Sequence, residues 1–131
     1  MSKNYKRYCK TLNLENDLAL IEEYKKVHAM GACWLEITQG IKDVGIIDME
    51  IYIDGAKLFM IMDTEPDFDH DAAMATLAML PRQSEWEAFV SKFQRTSSSA
   101  SADEKWRLME RIFELEQEKE FRPEDGYEKK Y

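Results

Sequence analysis

Tyr24 and His28 stand four residues apart in a stretch where Leu18, Ile21, Tyr24, Lys25 and His28 recur at helical spacing. On a helix that spacing puts both side chains on one face, about 5–6 Å apart at Cβ. A phenol beside an imidazole can perform acid–base chemistry, because histidine titrates near about pH 6.5 and both gives and takes a proton at neutral pH. The same spacing also suits Tyr24 as a core residue and His28 as a helix-end residue interacting with the negative end of the dipole. Trp34 and Trp86 could each lay an indole against the C–H face of a sugar or other ring, or pack into a core, while Trp106 reads as core or interface. Glu36, Asp48 and Glu50 flank these regions. Asp48 and Glu50 share one face of a strand and could bind hydroxyls, act as a base, or form a solvated face. The run Asp67-Phe68-Asp69-His70-Asp71 lacks the spacing of an EF-hand loop and of a helical zinc site, so it reads as an acidic helix start and no metal site is expected. No Gly-rich phosphate loop, Gly-x-Ser-x-Gly or Cys/His nucleophile arrangement occurs, which argues against nucleotide hydrolysis and serine-hydrolase chemistry.

The elements that must position these residues follow from propensity and turn chemistry. Arg7 to Leu14 reads as a strand. Asn16 and Asp17 both suit the N-cap of a helix over Asp17 to Met30, interrupted by Gly31, with a second helical piece from Trp34 to Gly40. Val44 to Asp54 and Lys57 to Thr64 read as a hairpin turned at Asp54-Gly55. After the acidic loop Glu65 to Asp71, the spacing predicts a helix over Ala72 to Leu80, ended by Pro81. A further helix is predicted from Ser84 to about Phe93, with Ser84 and Glu87 as its capping box. Thr96 to Ser101 is a low-complexity loop. Trp106 to Leu115 is ambiguous between helix and strand, and strand is favoured because it completes a βαββαβ order. The fold class is therefore α+β, ferredoxin-like, of the dimeric α/β-barrel type. One domain spans residues 1–115, and a charged C-terminal tail, expected to fray, spans 116–131. A small sheet with helices on one face leaves the other face open and apolar, so a homodimer is expected.

The 131 residues suit one domain. With 26 acidic against 18 basic residues and a formal net charge of −8, the chain is a poor match for a nucleic-acid backbone, and no nucleic acid is expected among its partners. At 44% hydrophobic it is too apolar for disorder, and no apolar run approaches a membrane span. The basic N-terminus is followed by no apolar signal-peptide core, and Cys9 and Cys33 form no Cys-x-x-Cys pair. The expectation is a cytoplasmic protein with reduced thiols and no membrane association.

Several pieces of the chain, in order, resemble the L-rhamnose mutarotase family, including its L-fucose-associated relatives. They are Lys6-Arg7-Tyr8-Cys9, Glu23-Tyr24-x-x-x-His28, Gly45-Ile46-Ile47-Asp48-Met49-Glu50-Ile51-Tyr52, Lys57-Leu58-Phe59-Met60-Ile61-Met62, Gln83-x-Glu85-Trp86-Glu87 and Lys105-Trp106-x-x-Met109-x-x-Ile112-Phe113-x-Leu115. The resemblance covers roughly Lys6 to Leu115. It implies a cofactor-free, dimeric enzyme that interconverts the α and β anomers of a 6-deoxyhexose. By the resemblance His28 matches the proton-donating histidine, Tyr24 the neighbouring substrate-binding tyrosine, and Trp86 the second member of an aromatic pair lining the sugar site. The chain departs from the pattern in three places. Glu85 replaces the first aromatic of that pair. Met49 stands where rhamnose-type members carry tyrosine. The His-x-x-x-Trp-Pro-Glu run is here His28-x-x-x-x-x-Trp34-Leu35-Glu36. Met49 with Glu85-Trp86 looks more like the fucose-associated branch. The resemblance thus implies His28 and Tyr24 as catalytic residues and Trp86, Glu85, Met49, Trp34 and Glu50 as substrate-binding residues.

Mutarotation requires an acid at the ring oxygen and a base at the anomeric hydroxyl. His28 is expected as the acid, with Tyr24, Glu50 or an ordered water as the base. A phenolate is costly at neutral pH, so Tyr24 reads better as a hydrogen-bonding partner. The same dimeric fold hosts cofactor-free monooxygenases and small-molecule binding modules. A monooxygenase would want a deep apolar pocket and a mutarotase a shallow, polar, Trp-walled one.

Overall fold

The computed structural model describes residues 4–97 and 99–115 together with a strand at 127–130. Asn4–Asn13 forms β1 and Leu18–Val27 forms α1, which Asp17 caps by accepting from the Leu20 backbone N–H at 3.1 Å. Leu35–Asp43 forms α2, Ile46–Asp54 forms β2 and Lys57–Thr64 forms β3. The hairpin pairs Asp54 with Lys57, so only Gly55 and Ala56 make its turn, and Gly55 takes φ +61°, a conformation side chains resist. His70–Ala78 forms α3, whose N-cap Asp69 confirms the acidic run as a helix start. Gln83–Ser91 forms α4 and Ala102–Lys105 a short α5, followed by Arg107–Leu108 (β4) and Tyr127–Lys130 (β5).

The sheet order is β2-β3-β1-β4, with every neighbouring pair antiparallel. β3 lies between β1 and β2, which therefore run in the same direction, joined by helices. This is the split βαβ arrangement expected from the sequence. The helix layer packs on one sheet face. Tyr8, Leu12, Leu58, Met60 and Met62 point into it from the strands and meet Ile21, Tyr24, Ile37, Leu77, Trp86, Val90 and Phe93, all buried. Each such side chain contributes roughly 1.5–3 kcal/mol of transfer free energy.

The register of β2 decides the site. Ile46 pairs with Thr64 but Asp48 pairs with Asp63, so Ile47 is the extra residue of a bulge. Beyond it Met49, Ile51 and Ile53 sit opposite Met62, Met60 and Leu58 on the helix side, while Asp48, Glu50 and Tyr52 pair with Asp63, Ile61 and Phe59 on the other face. That other face holds Cys9, Thr11, Phe59 and Ile61 at its middle and is edged by charge, notably the bidentate Arg7–Asp63 pair at 2.7 and 3.0 Å.

Three local expectations are corrected. The Ser84–Glu87 capping box does not form: Arg82, in the left-handed region at φ 64°, is the N-cap of α4, and Glu87 is drawn inward by Lys105 instead. The capping box occurs at Ser101 and Glu104, where both reciprocal bonds are made. The strand expected over Trp106–Leu115 is reduced to Arg107–Leu108, extended by the Met109 N–H bonding the Cys9 carbonyl at 2.7 Å. Beyond it Ile112, Phe113 and Leu115 stand exposed. In the tail, Tyr127–Lys130 pairs with Asn4–Arg7 rather than fraying, and 116–126 lie outside the described residues.

Candidate active site

A cavity of about 430 Å³ lies between the helix layer and the sheet, and Tyr24, His28, Met49 and Trp86 all line it. His28 terminates α1. Its Nδ1 lies 2.8 Å from the Tyr24 carbonyl oxygen, four residues back. A carbonyl only accepts, so Nδ1 carries the proton and Nε2 keeps its lone pair. The imidazole is held between aromatic neighbours, with its centroid 4.1 Å from the Tyr24 ring and 5.3 Å from the Trp86 indole. Burial, only partly offset by the bond to the Tyr24 carbonyl, lowers the His28 pKa from its ordinary value and favours the neutral ring. Tyr24 is 4% exposed, and burial pushes its phenol well up, so it stays protonated, with Gln94 as side-chain partner. One helical stripe, Ile21-Tyr24-His28, thus anchors α1 to the core and delivers a neutral imidazole with a free nitrogen.

Trp86 comes from α4, one turn beyond the Arg82 cap, and is buried. Trp34, the N-cap of α2, packs edge-on against it at 5.2 Å and stacks on Phe89 at 5.5 Å. Trp34 therefore supports the Trp86 wall from behind and does not line the cavity. The Arg82 guanidinium covers its outer face at 4.1 Å and ties Glu36 and Glu85 at 3.5 Å each. Glu85 consequently faces solvent beside Arg82, away from the cavity. Glu50 also falls outside the cavity. It stands on the opposite sheet face and accepts a 3.0 Å hydrogen bond from the Tyr52 hydroxyl. Of the seven expected residues, His28, Tyr24, Trp86 and Met49 are brought together and Trp34, Glu85 and Glu50 are not. Met49 and Glu50 are neighbours on a strand and point to opposite faces, while Asp48, next to the bulge at Ile47, joins Met49 in the cavity lining.

Polar residues that sequence reasoning missed also line the cavity. Glu87 accepts from Gln83 Nε2 at 2.7 Å and from Lys105 Nζ at 2.8 Å, and Lys105 also bonds the Glu87 carbonyl at 2.7 Å. The Lys105 side chain is fully inaccessible. Lys10, on β1 between the inward Tyr8 and Leu12, is 3% exposed, and burial lowers its pKa. Its signal was present in the sequence, as a charged residue in phase with an inward apolar pair. With Met49, Met60, Met62 and Ile37 among its walls, the cavity is more apolar than the shallow polar pocket expected of a mutarotase. Its polar lining comprises His28, Lys10, Gln83 and Glu87 together with Tyr24, Thr38, Lys42, Gln94 and Asp48, the last a candidate already visible in the sequence.

Residues 7–115 match the profile of the L-rhamnose mutarotase family. The chain is 37% identical over 109 residues to an L-fucose mutarotase of Xanthomonas campestris pv. campestris, covering 83% of this chain and 87% of that protein. It is 34% identical over 119 residues to a UPF0734 protein of Dictyostelium discoideum, covering 88% of this chain and 94% of the relative. The fold is similar to the crystal structure of an L-rhamnose mutarotase from Formosa agariphila, with a TM-score of 0.56 at 17% identity, over 85% of this chain and 99% of that one.

Proposed function

The chain belongs to the L-rhamnose mutarotase family, and from that premise we propose that it is an isomerase in which His28 moves the proton that opens and recloses the ring of a 6-deoxyhexose. The enzyme interconverts α and β anomers of such sugars. L-Fucose is the preferred substrate in this reading, supported by the 37% identical L-fucose mutarotase and by Met49 standing in the cavity where rhamnose-type members carry tyrosine.

The observation that carries the catalytic assignment is the 2.8 Å contact between His28 Nδ1 and the Tyr24 carbonyl. It fixes the tautomer with a bare Nε2, and burial keeps the ring neutral, so His28 begins as the proton acceptor rather than the donor. Nε2 takes the O1 proton as the O1 electrons form the C1 carbonyl and the C1–O5 bond breaks toward O5. The imidazolium then returns that proton to O5. Both oxygens are bonded to C1, so one imidazole edge can serve them in turn. Rotation about C1–C2 and the reverse sequence on the other carbonyl face give the second anomer. Tyr24, held protonated, packs against the imidazole and supplies its backbone acceptor. Trp86 offers an indole to the C–H face of the sugar. The apolar walls suit the C6 methyl of a 6-deoxy sugar.

We further place the enzyme in the cytoplasm as a homodimer. No helix among the described residues is long and apolar enough to cross a membrane. The second copy would cover the open sheet face and the exposed Ile112, Phe113 and Leu115. Light scattering in solution would give the mass of two chains if that is right and of one if it is not. The activity is tested by saturation transfer between the anomeric proton signals of L-fucose, L-rhamnose and D-glucose at neutral pH. Transfer accelerated for a 6-deoxy sugar and abolished in His28→Ala is expected, and no acceleration with any sugar would overturn the assignment.

A further inference from the structure

Two lysines are buried among the described residues, and they are treated differently. Lys105 is satisfied by the carbonyl and carboxylate of Glu87 at 2.7 and 2.8 Å. Lys10 lines the cavity and is 3% exposed, and among the described residues its amine hydrogen-bonds only the Met74 sulfur, at 3.9 Å. A thioether is a weak acceptor. Among the described residues no carboxylate lies within 4.0 Å of the Lys10 amine, although Asp71 and Asp103 are near enough to be felt electrostatically. Packing does not require an amine here, because the flanking inward positions of the strand are Tyr8 and Leu12, and an apolar side chain of lysine's length would fill the same space without desolvating a charge. Leaving a buried donor with so poor a partner is costly, and a ligand oxygen in the cavity would supply the acceptor it lacks.

We propose that Lys10 is a specificity-determining residue whose amine donates to a substrate hydroxyl oxygen other than the O1 and O5 that His28 handles. The ligand class is a neutral polyhydroxylated ring, and the inference rests on the mutarotase reading of the cavity. Lys10 would then act in recognition and leave the proton transfer to His28.

The test is Lys10→Met, which keeps the length of the side chain and removes the donor. Trp86 and Trp106 line the cavity, so sugar binding can be followed by tryptophan fluorescence without turnover, beside anomeric exchange by NMR. The expected result is a dissociation constant and KM for L-fucose raised about 10- to 100-fold, with kcat within about threefold of the parent. The thermal midpoint should be unchanged or higher, because a desolvated amine has been removed. Lys10→Gln, which retains an N–H donor, should recover part of the affinity. Among monodeoxy sugars, the one lacking the oxygen read by Lys10 should bind parent and Lys10→Met equally. Weakened binding in Lys10→Met by a protein that does not accelerate exchange would uphold Lys10 and remove the mutarotase reading. Unchanged binding in Lys10→Met, or no binding of any 6-deoxyhexose by the parent protein, would overturn the proposal.

Discussion

On the helix side of the sheet Lys10, Tyr24 and His28 border one cavity, and burial displaces the pKa of each away from its charged form. On the opposite side a one-third exposed Arg7 side chain lies across from a largely buried Asp63 in a bidentate pair, and the exposed Tyr52 donates to Glu50. The strands are the same and the residue types are comparable. What differs is the layer above them. Under the helices an ionisable group without a partner is costly and therefore informative. In the open, a charged pair is cheap and says little about function. Glu50 was a plausible base by sequence, yet it belongs to the second kind.

The largest expected effect that would sharpen this contrast is at His28. Replacement by Asn should lower the anomeric exchange rate by about 10²–10⁴-fold with the fold intact. Exchange NMR beside circular dichroism checks it. The pH profile should carry the same signature. Because burial lowers the folded His28 pKa, exchange should fall on acidification only below about pH 6.5, the ordinary histidine value. The unfolded chain then binds more protons than the folded one, so stability should also decline as pH drops from that value through the lower folded pKa, and His28→Asn should flatten that decline.

Next in size is Glu87→Leu, which strands the inaccessible Lys105 amine without its carboxylate. A loss of about 3–5 kcal/mol is expected by denaturant unfolding. On the opposite face Asp63→Ala breaks a pair whose carboxylate is as buried but whose cation is one-third exposed, and about 1–2 kcal/mol is expected. Equal costs at the two positions would erase the distinction between the faces. The smallest effect belongs to Glu50→Gln, where stability should move by less than about 0.5 kcal/mol and the exchange rate should stay level. A tenfold rate loss there would return Glu50 to the site, by way of a second copy of the chain.

Much of the site was legible in the sequence because it is local. Tyr24 and His28 share a helix face by spacing, and Asp17 caps that helix as its side chain predicts. That Met49 and Glu50 point to opposite sheet faces was equally available from strand alternation, whereas the bulge at Ile47, which lets Asp48 join Met49 in the lining, was not. The failed Ser84–Glu87 box was not available, since the same two residue types fit a cap and an inward network equally well, and Lys105 lies eighteen residues away. The short β4 was also hidden. Leu108, Met109, Ile112 and Phe113 satisfy strand propensity, but propensity does not supply a partner for an edge.

The residues by themselves determined the split βαβ order, the hairpin at Gly55 and the aromatic–imidazole stripe of the first helix, because each follows from bonds and periodicities within a few residues. Only the tertiary structure decided which charges are paired and which are left in the cavity. Lys10 and Lys105 are the same residue type, and what separates them is whether a carboxylate from a distant turn of helix arrives within hydrogen-bonding reach.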